Sequence, residues 1–381
     1  AVAHWRVRFS AVILPVLAFL FCFRIWLTRF TTREWLADAV TLGLALGSPF
    51  YAYSVMFVSH SLAAVALFFA FALLRDAAQG RTLSAPAALF AGFSTAAVTA
   101  FEYPGVLLSL ILSVWALVVV RPLRRLFAFI AGALIPTLAV MHFQWAAFGN
   151  PLTPGHKMLE NQSFKAGHEV GVFGASTPTL EALFGLTVDP RQGLFPLAPW
   201  MLFAFVGLYW LSKRREERSS TSVAIALCLV LYLFTASLNI WHAGWSVGPR
   251  YLIPLFPLLA WGALVGLDGI AEQRPRAAVA LTLGTLASGL VASGIPSAYY
   301  PHIPVGTQRM LLDLFWPAIS HDFAPYNALN LVGVWGSASM LPFFILLAGC
   351  VLFVAYRSRE QEPPSWRTFG AAALIFLVTL L

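Results

Sequence analysis

Apolar and polar positions follow one another along this chain in long blocks, without the two-residue alternation of a half-buried strand. Apolar runs cover residues 11–27, 36–47, 61–74, 85–100, 105–120, 126–145, 194–211, 223–238, 252–267, 277–294 and 340–356, and a last one begins near residue 370. A helix needs about 20 apolar residues to cross the hydrocarbon core of a bilayer, and most of the stretches between runs are no longer than modest loops. The pattern predicts an all-α, polytopic membrane helix bundle of about 11–12 transmembrane segments. It forms one domain over residues 1–381, with no soluble module and no internal repeat.

Proline marks several ends. Runs break at Ser48-Pro49, at Phe101-Glu102-Tyr103-Pro104 and at Gly248-Pro249, because proline lacks an N–H and restrains the residue before it. Two segments, 149–193 and 295–337, are too long for turns. The first has Thr177-Pro178 ahead of Leu180, Leu183 and Phe184, which share a helical face, and the second has QRMLLDLFW from Gln308 to Trp316. Both predict short helices lying in the membrane interface.

Composition excludes a water-soluble globule. Hydrophobic residues make up 59%, charged residues 10%, and the mean hydropathy is +0.78, far from soluble-domain averages. The net charge of +8 does not indicate nucleic acid, since the arginines fall in short clusters between apolar runs and form no stripe. They act as topology signals. Sixteen of the 24 lysines and arginines fall in one alternate set of loops and seven in the other, which puts the richer side in the cytoplasm. Both long segments then face outward, toward the periplasm if the membrane is a bacterial inner membrane. Cys22, Cys228 and Cys350 lie within apolar runs without CxxC spacing and read as small core hydrophobes.

The outer ends hold the candidate chemistry, concentrated in IWHAGWSVGPRYLIP, Ile240 to Pro254. Arg250 follows Gly248-Pro249 at a helix top, where a guanidinium suits a phosphate it can hold bidentately; tying loop carbonyls together is the alternative. Trp241 and Trp245 fit interfacial anchoring or sugar stacking, with His242 and Tyr251 beside them. Glu102 and Tyr103 cap an apolar hairpin, and His60 tops the third run. An ionisable group there needs a partner or water. Asp189 and Arg191 fix the loop where it re-enters the membrane or line a cavity mouth. His156 and Glu160, four apart, are a candidate metal pair, with His168 and Glu169 in the same loop. Broken helix tops near Pro49, Pro104 and Pro249 leave backbone groups that lipid cannot satisfy, which predicts a wet outer cavity roofed by the two long segments.

Five blocks, LGSPFYAYSVMFVSHSLAAVALFFAFALLRD, TAFEYPG, AAFGNPLTPGH, DPRQGLFPLAPW and WHAGWSVGPRYLIPLFPLL, resemble successive blocks of bacterial membrane proteins of the GT-C glycosyltransferase superfamily. These are relatives of the protein mannosyltransferases and aminoarabinose transferases. The resemblance runs from about Leu36 to Leu267. It implies transfer of a sugar from a polyprenyl-phosphate carrier to an acceptor at the outer face, within a bundle of many helices, with the membrane lipid as partner and a divalent cation as an optional cofactor. Glu102 stands where many relatives carry a lysine, so the carrier-phosphate role falls to Arg250. The family's catalytic acid belongs to a loop after its first helix, and the run 11–27 resembles the second helix of that pattern. The catalytic acid is accordingly expected outside this sequence, as are segments before Ala1 and after Leu381. A non-catalytic subunit of a larger membrane complex is the main alternative and a transporter a lesser one, because transporters place ionisable groups near the midplane whereas here they lie at helix ends.

Overall fold

The apolar runs fold as helices. The computed structural model of the chain describes residues 2–153, 155–158, 160, 174–304 and 306–380; among them, β pairing is limited to one bridge between Ala175 and Leu238. The first helix, α1, joins Val2–Arg8, a π-helical turn Phe9–Ile13 and Leu14–Leu27. Then come α2, Glu34–Leu46; α3, Phe50–Val55; α4, His60–Ala78; α5, Ala85–Phe101; α6, Gly105–Val119; and α7, Leu123–Phe148. The first long segment carries α8, Leu180–Thr187, and is followed by α9, Phe203–Lys213, and α10, Arg218–Ala236. A 3-10 turn, Arg250–Leu255, leads into α11, Phe256–Gln273. Helix α12 joins Pro275–Gly289, a π-helical turn Leu290–Gly294 and Ile295–Tyr299. The second long segment holds α13, Trp316–Ser320, after the π-helical turn Leu311–Phe315, and the chain continues through α14, Leu341–Ser358, and α15, Trp366–Leu380.

Seven helical stretches among the described residues are long and apolar enough to cross a membrane: Trp5–Leu27, His60–Ala78, Leu123–Phe148, Arg218–Ala236, Arg250–Gln273, Pro275–Tyr299 and Gly336–Ser358. The protein is a helical membrane bundle. The other runs are helical but shorter, and the sequence shows why. Helix α2 stops after 13 residues at Gly47-Ser48-Pro49, and α9 is shortened to 11 residues by the turns Leu194–Leu197 and Pro199–Leu202 ahead of it.

Several boundaries differ from those the sequence predicts. Arg6 and Arg8, expected in a tail outside the first run, lie within α1. Ile295–Tyr299 continues α12 and is not part of the second loop. Thr179 caps α8, accepting a hydrogen bond from the Ala182 N–H at 3.1 Å, in place of the Thr177-Pro178 start. On α8, Leu180 and Phe184 are exposed, whereas Leu183 packs against the core beside the buried Ala182, Gly185 and Leu186.

Helix α11 is the hub. In the stretch Arg250–Gln273, 83% of the apolar window is buried, against 22% for α7. Trp261 of α11 meets Trp26, Phe30 and Phe71 edge-on or tilted. Helix α9 reaches α11 through glycine: a Cβ on Gly207 would stand 1.8 Å from the Gly262 carbonyl oxygen and 2.6 Å from the Gly266 nitrogen. Small residues allow such close backbone approach in membrane helix pairs.

One end of the bundle is laced by ion pairs. Arg75 donates through Nε to Glu217 at 2.9 Å and through Nη2 to its other oxygen, while Gln79 also donates to Glu217. Arg33 bridges Asp268 at 3.0 Å and Glu362 at 2.8 Å, and Thr31 donates to Asp268. Arg29 and Arg81 meet Asp76. These arginines belong to the clusters that set the charge bias along the sequence, and they also fasten α1, α2, α4, α10, α11 and the 358–366 turn to one another.

Candidate functional site

At the opposite end of the bundle, proline breaks bring four elements together. Pro49 precedes α3, Pro104 precedes α6, and Pro249 precedes the 3-10 turn that carries Arg250. That turn packs on α4. The approach needs glycine: Gly248 has φ +67°, and a Cβ there would be 2.7 Å from Pro49 Cγ and 2.9 Å from Leu197 Cδ1.

Among the described residues Arg250 stands here without a counter-charge. Its Nε is buried with no hydrogen-bond partner, and among the described residues no carboxylate pairs with it. The guanidinium lies 5.3 Å from the centre of the Tyr251 ring, a cation–π contact that leaves its charge uncompensated. Tyr251 in turn meets the edge of His60, whose ring also contacts Tyr53. The Tyr53 hydroxyl donates to the Val247 carbonyl at 3.0 Å. Burial pushes the Tyr53 phenol well above its ordinary value, with the nearby Arg250 charge offsetting only part of this, so it is a neutral donor.

Glu102 belongs to the same cluster. Ser59 donates to Glu102 Oε1 at 2.5 Å, and His60 Nδ1 lies 2.8 Å from that oxygen without the alignment of a hydrogen bond. A carboxylate at the end of α5 is thereby held by residues from the start of α4, which locks the α5–α6 hairpin beside Arg250. Tyr103, next in sequence, accepts from the Gly155 N–H at 3.2 Å and from Gln144, tying the first long segment down.

No known protein family, curated protein or solved structure matches this chain. The chemistry of the site therefore rests on its own groups.

The remaining predicted residues divide. Trp241 packs against Gly185, where a Cβ would stand 2.1 Å from the indole, and so staples α8 to the 240s turn. Trp245 is 57% exposed and free to stack on a ligand. Asp189 and Arg191 close on each other: the Arg191 N–H donates to Asp189 Oδ1 at 2.8 Å and its Nη2 to Oδ2 at 2.6 Å. Burial raises the Asp189 carboxyl, but the Arg191 guanidinium outweighs this and holds it below its usual range. The pair is a local clamp at the re-entry point. Glu160 lies in a bend, outside the 3-10 turn Gly155–Met158. The side chain of His156 and all of His168 and Glu169 lie outside the described residues. Among the described residues no three of His, Cys, Asp and Glu come together to hold a metal. The roof expected over the site also lies partly outside the described residues, at 161–173.

Sequence reading overlooked Tyr53 and Ser59. Tyr53 and Ser59 lie in the dodecapeptide after Pro49, whose alternating aromatic and small residues resemble any interfacial turn, and only the fold shows that it faces Arg250.

His242 supports the turn itself. Its Nδ1 accepts from the Gly244 N–H at 3.1 Å, next to Ala243 at φ +59° and Gly244 at φ +70°. Burial lowers the imidazole pKa, with Glu181 partly restoring it. The folded turn therefore binds fewer protons than an open one, and its stability rises with pH through the interval between the lowered value and 6.5. Acidification below that interval puts a proton on Nδ1 and removes the acceptor. Hydrogen exchange of residues 243–248, corrected for intrinsic rate, is expected to lose protection as pH falls through this interval, and His242→Asn is expected to abolish the pH dependence.

Proposed function

We propose that the Arg250 end of the bundle binds the phosphate of a polyprenyl-phosphate carrier, and that the protein transfers the carried sugar to an acceptor at that face. The observation that carries this reading is Arg250: partly buried, backed by Tyr251 and lacking a carboxylate partner among the described residues. A guanidinium in that state gains from a phosphate, which supplies charge and a matching pair of acceptor oxygens. The exposed indole of Trp245 offers a face for the sugar ring. The seven apolar spans put a lipid-linked donor within reach, and the ordered blocks that resemble the GT-C superfamily agree with such a donor. Which end faces the periplasm is part of the proposal and follows the charge bias, as does a bacterial inner membrane. The full count of eleven or twelve spans is also proposed, on the view that the shorter helices cross by packing against longer neighbours.

A second reading is a non-catalytic subunit that holds the same lipid. It is favoured by the state of two carboxylates at this end: Glu102 is held by Ser59 and His60, and Asp189 by Arg191. We assign neither as a base.

The test is binding of a polyprenyl phosphate to the purified protein in nanodiscs. Charge-assisted hydrogen bonds contribute about 1.5–3 kcal/mol, so Arg250→Gln is expected to weaken binding about ten- to hundredfold. Arg250→Lys, a point charge without the fork, is expected to fall between. Equal binding by wild type and Arg250→Gln would refute the site. Release of polyprenyl phosphate from its sugar-loaded form by membranes containing the protein separates the enzyme from the subunit.

A further inference from the structure

A groove lies at the other end of the bundle, beside the ion pairs and remote from Arg250. It has a volume of about 360 Å³ and is walled by Asp38 and Leu42 of α2 and by Leu346, Gly349 and Phe353 of α14, with Arg24 of α1 at its end. The volume is near the lower end of the range for ligand cavities, about 300–1,000 Å³. Both walls follow helical spacing: 34, 38 and 42 on α2 face 346, 349, 353 and 357 on α14, positions three or four apart on one side of each helix.

The groove runs from apolar to charged. Leu346 and Phe353 are half-exposed on the outer surface of a candidate span, continuous with the exposed Ile345 and Leu352. The charged end is a closed ring of two guanidiniums and two carboxylates. Arg24 meets Asp38 at 2.9 Å and Glu34 at 3.0 Å, and Arg357 meets Glu34 at 3.2 Å and Asp38 at 3.3 Å. Glu34 keeps 56% of its side chain exposed and Arg357 29%, so both can accept a further partner.

We propose that this groove holds an acyl chain of a zwitterionic membrane phospholipid, with the headgroup on the ring of Arg24, Asp38, Arg357 and Glu34. An aliphatic chain fits the apolar walls and continues onto the lipid-facing surface, and without it the lining loses contacts on one side. The ring is balanced in charge. A headgroup with both a phosphate and an ammonium can give the first to the guanidiniums and the second to the carboxylates, so no charge is left alone. A singly anionic headgroup has nothing to offer Glu34 and Asp38 and meets their repulsion.

Gly349 makes the idea testable. A Cβ there meets no atom within 4 Å, so Gly349→Leu fills the groove without displacing the protein. Helix propensity also favours the change. The protein would be taken from nanodiscs of mixed phosphatidylethanolamine and phosphatidylglycerol and analysed by native mass spectrometry. One retained phosphatidylethanolamine is expected on the wild type and its loss in Gly349→Leu, with the melting temperature of the delipidated protein undiminished. The double variant Glu34→Gln, Asp38→Asn is expected to shift retention toward phosphatidylglycerol. If Gly349→Leu does not fold, Leu346→Trp, at the exposed lip, reports instead and is expected to weaken retention. Retention unchanged by the filling variant, no preference between the lipids, or a protein dimer that disappears on filling would each overturn the proposal. Polyprenyl-phosphate binding at Arg250 is independent of every arm.

Discussion

Replacing Arg75 by alanine is expected to cost the folded bundle about 3–5 kcal/mol, the loss found when one partner of a buried ion pair is removed. Arg75 of α4 and Glu217 at the start of α10 are both buried, and Gln79 adds a third hydrogen bond to Glu217 at 2.8 Å. The guanidinium also lies 4.5 Å from the centre of the Phe30 ring and 5.8 Å from that of Trp26, which fixes it from the α1 side. Alanine leaves Glu217 charged, desolvated and held only by Gln79, and opens a space against two aromatic rings. Glu217→Ala is expected to match it, stranding Arg75 with only the weaker 3.5 Å contact to Asp76. The double variant Arg75→Met, Glu217→Leu removes both charges and restores volume, so its loss is expected to be far smaller than the sum of the two. Thermal unfolding of the four proteins in one detergent measures the cycle, and strict additivity would show that the pair contributes nothing beyond its separate parts.

That pair also shows where sequence reading stops. The apolar runs locate the helices well: 61–74 lies within α4, 223–238 overlaps α10, and Pro49 and Pro104 stand immediately before α3 and α6. Each of these signals is local, a matter of which residues follow which. Arg75 and Glu217 are 142 positions apart and Arg33 and Asp268 are 235, and nothing in a one-dimensional pattern says which loop meets which. In sequence these arginines look like free charges marking a membrane face, and only folding turns them into ties. The candidate site divides in the same way. Arg250, His60, Glu102 and Tyr251 stand out as polar groups at proline-broken helix tops, and the fold gathers them. Asp189 and Arg191 look equally promising in the chain but satisfy each other two residues apart. Tyr53 goes unnoticed because its role depends on a turn nearly two hundred residues downstream, at Val247.

Gly132→Ala is expected to destabilise the bundle by about 1–3 kcal/mol, and Gly132→Leu by more, since overpacking at a close contact forces shifts of that cost. Helices α5 and α7 cross with their backbones in contact. A Cβ on Gly132 would stand 1.9 Å from the Leu89 carbonyl oxygen, and one on Gly92 would stand 1.8 Å from that of Phe129. The two clashes are reciprocal, each glycine meeting the carbonyl three residues before the other. Neither can be relieved by a rotamer, because both atoms belong to main chain, so α7 has to move outward along the whole crossing. Helix α7 depends on this contact more than most, given how little of it is buried, and α5 is itself too short to be counted among the long spans. Gly370→Ala in α15 is the control, since a Cβ there meets nothing within 4 Å. Alanine is favoured over glycine in any helix by roughly 1 kcal/mol, so Gly370→Ala is expected to raise the melting temperature slightly and Gly132→Ala to lower it. Because intrinsic propensity is common to both sites, the opposite signs isolate the packing contribution. Equal shifts in the two variants would mean that α5 and α7 do not approach this closely in the folded protein.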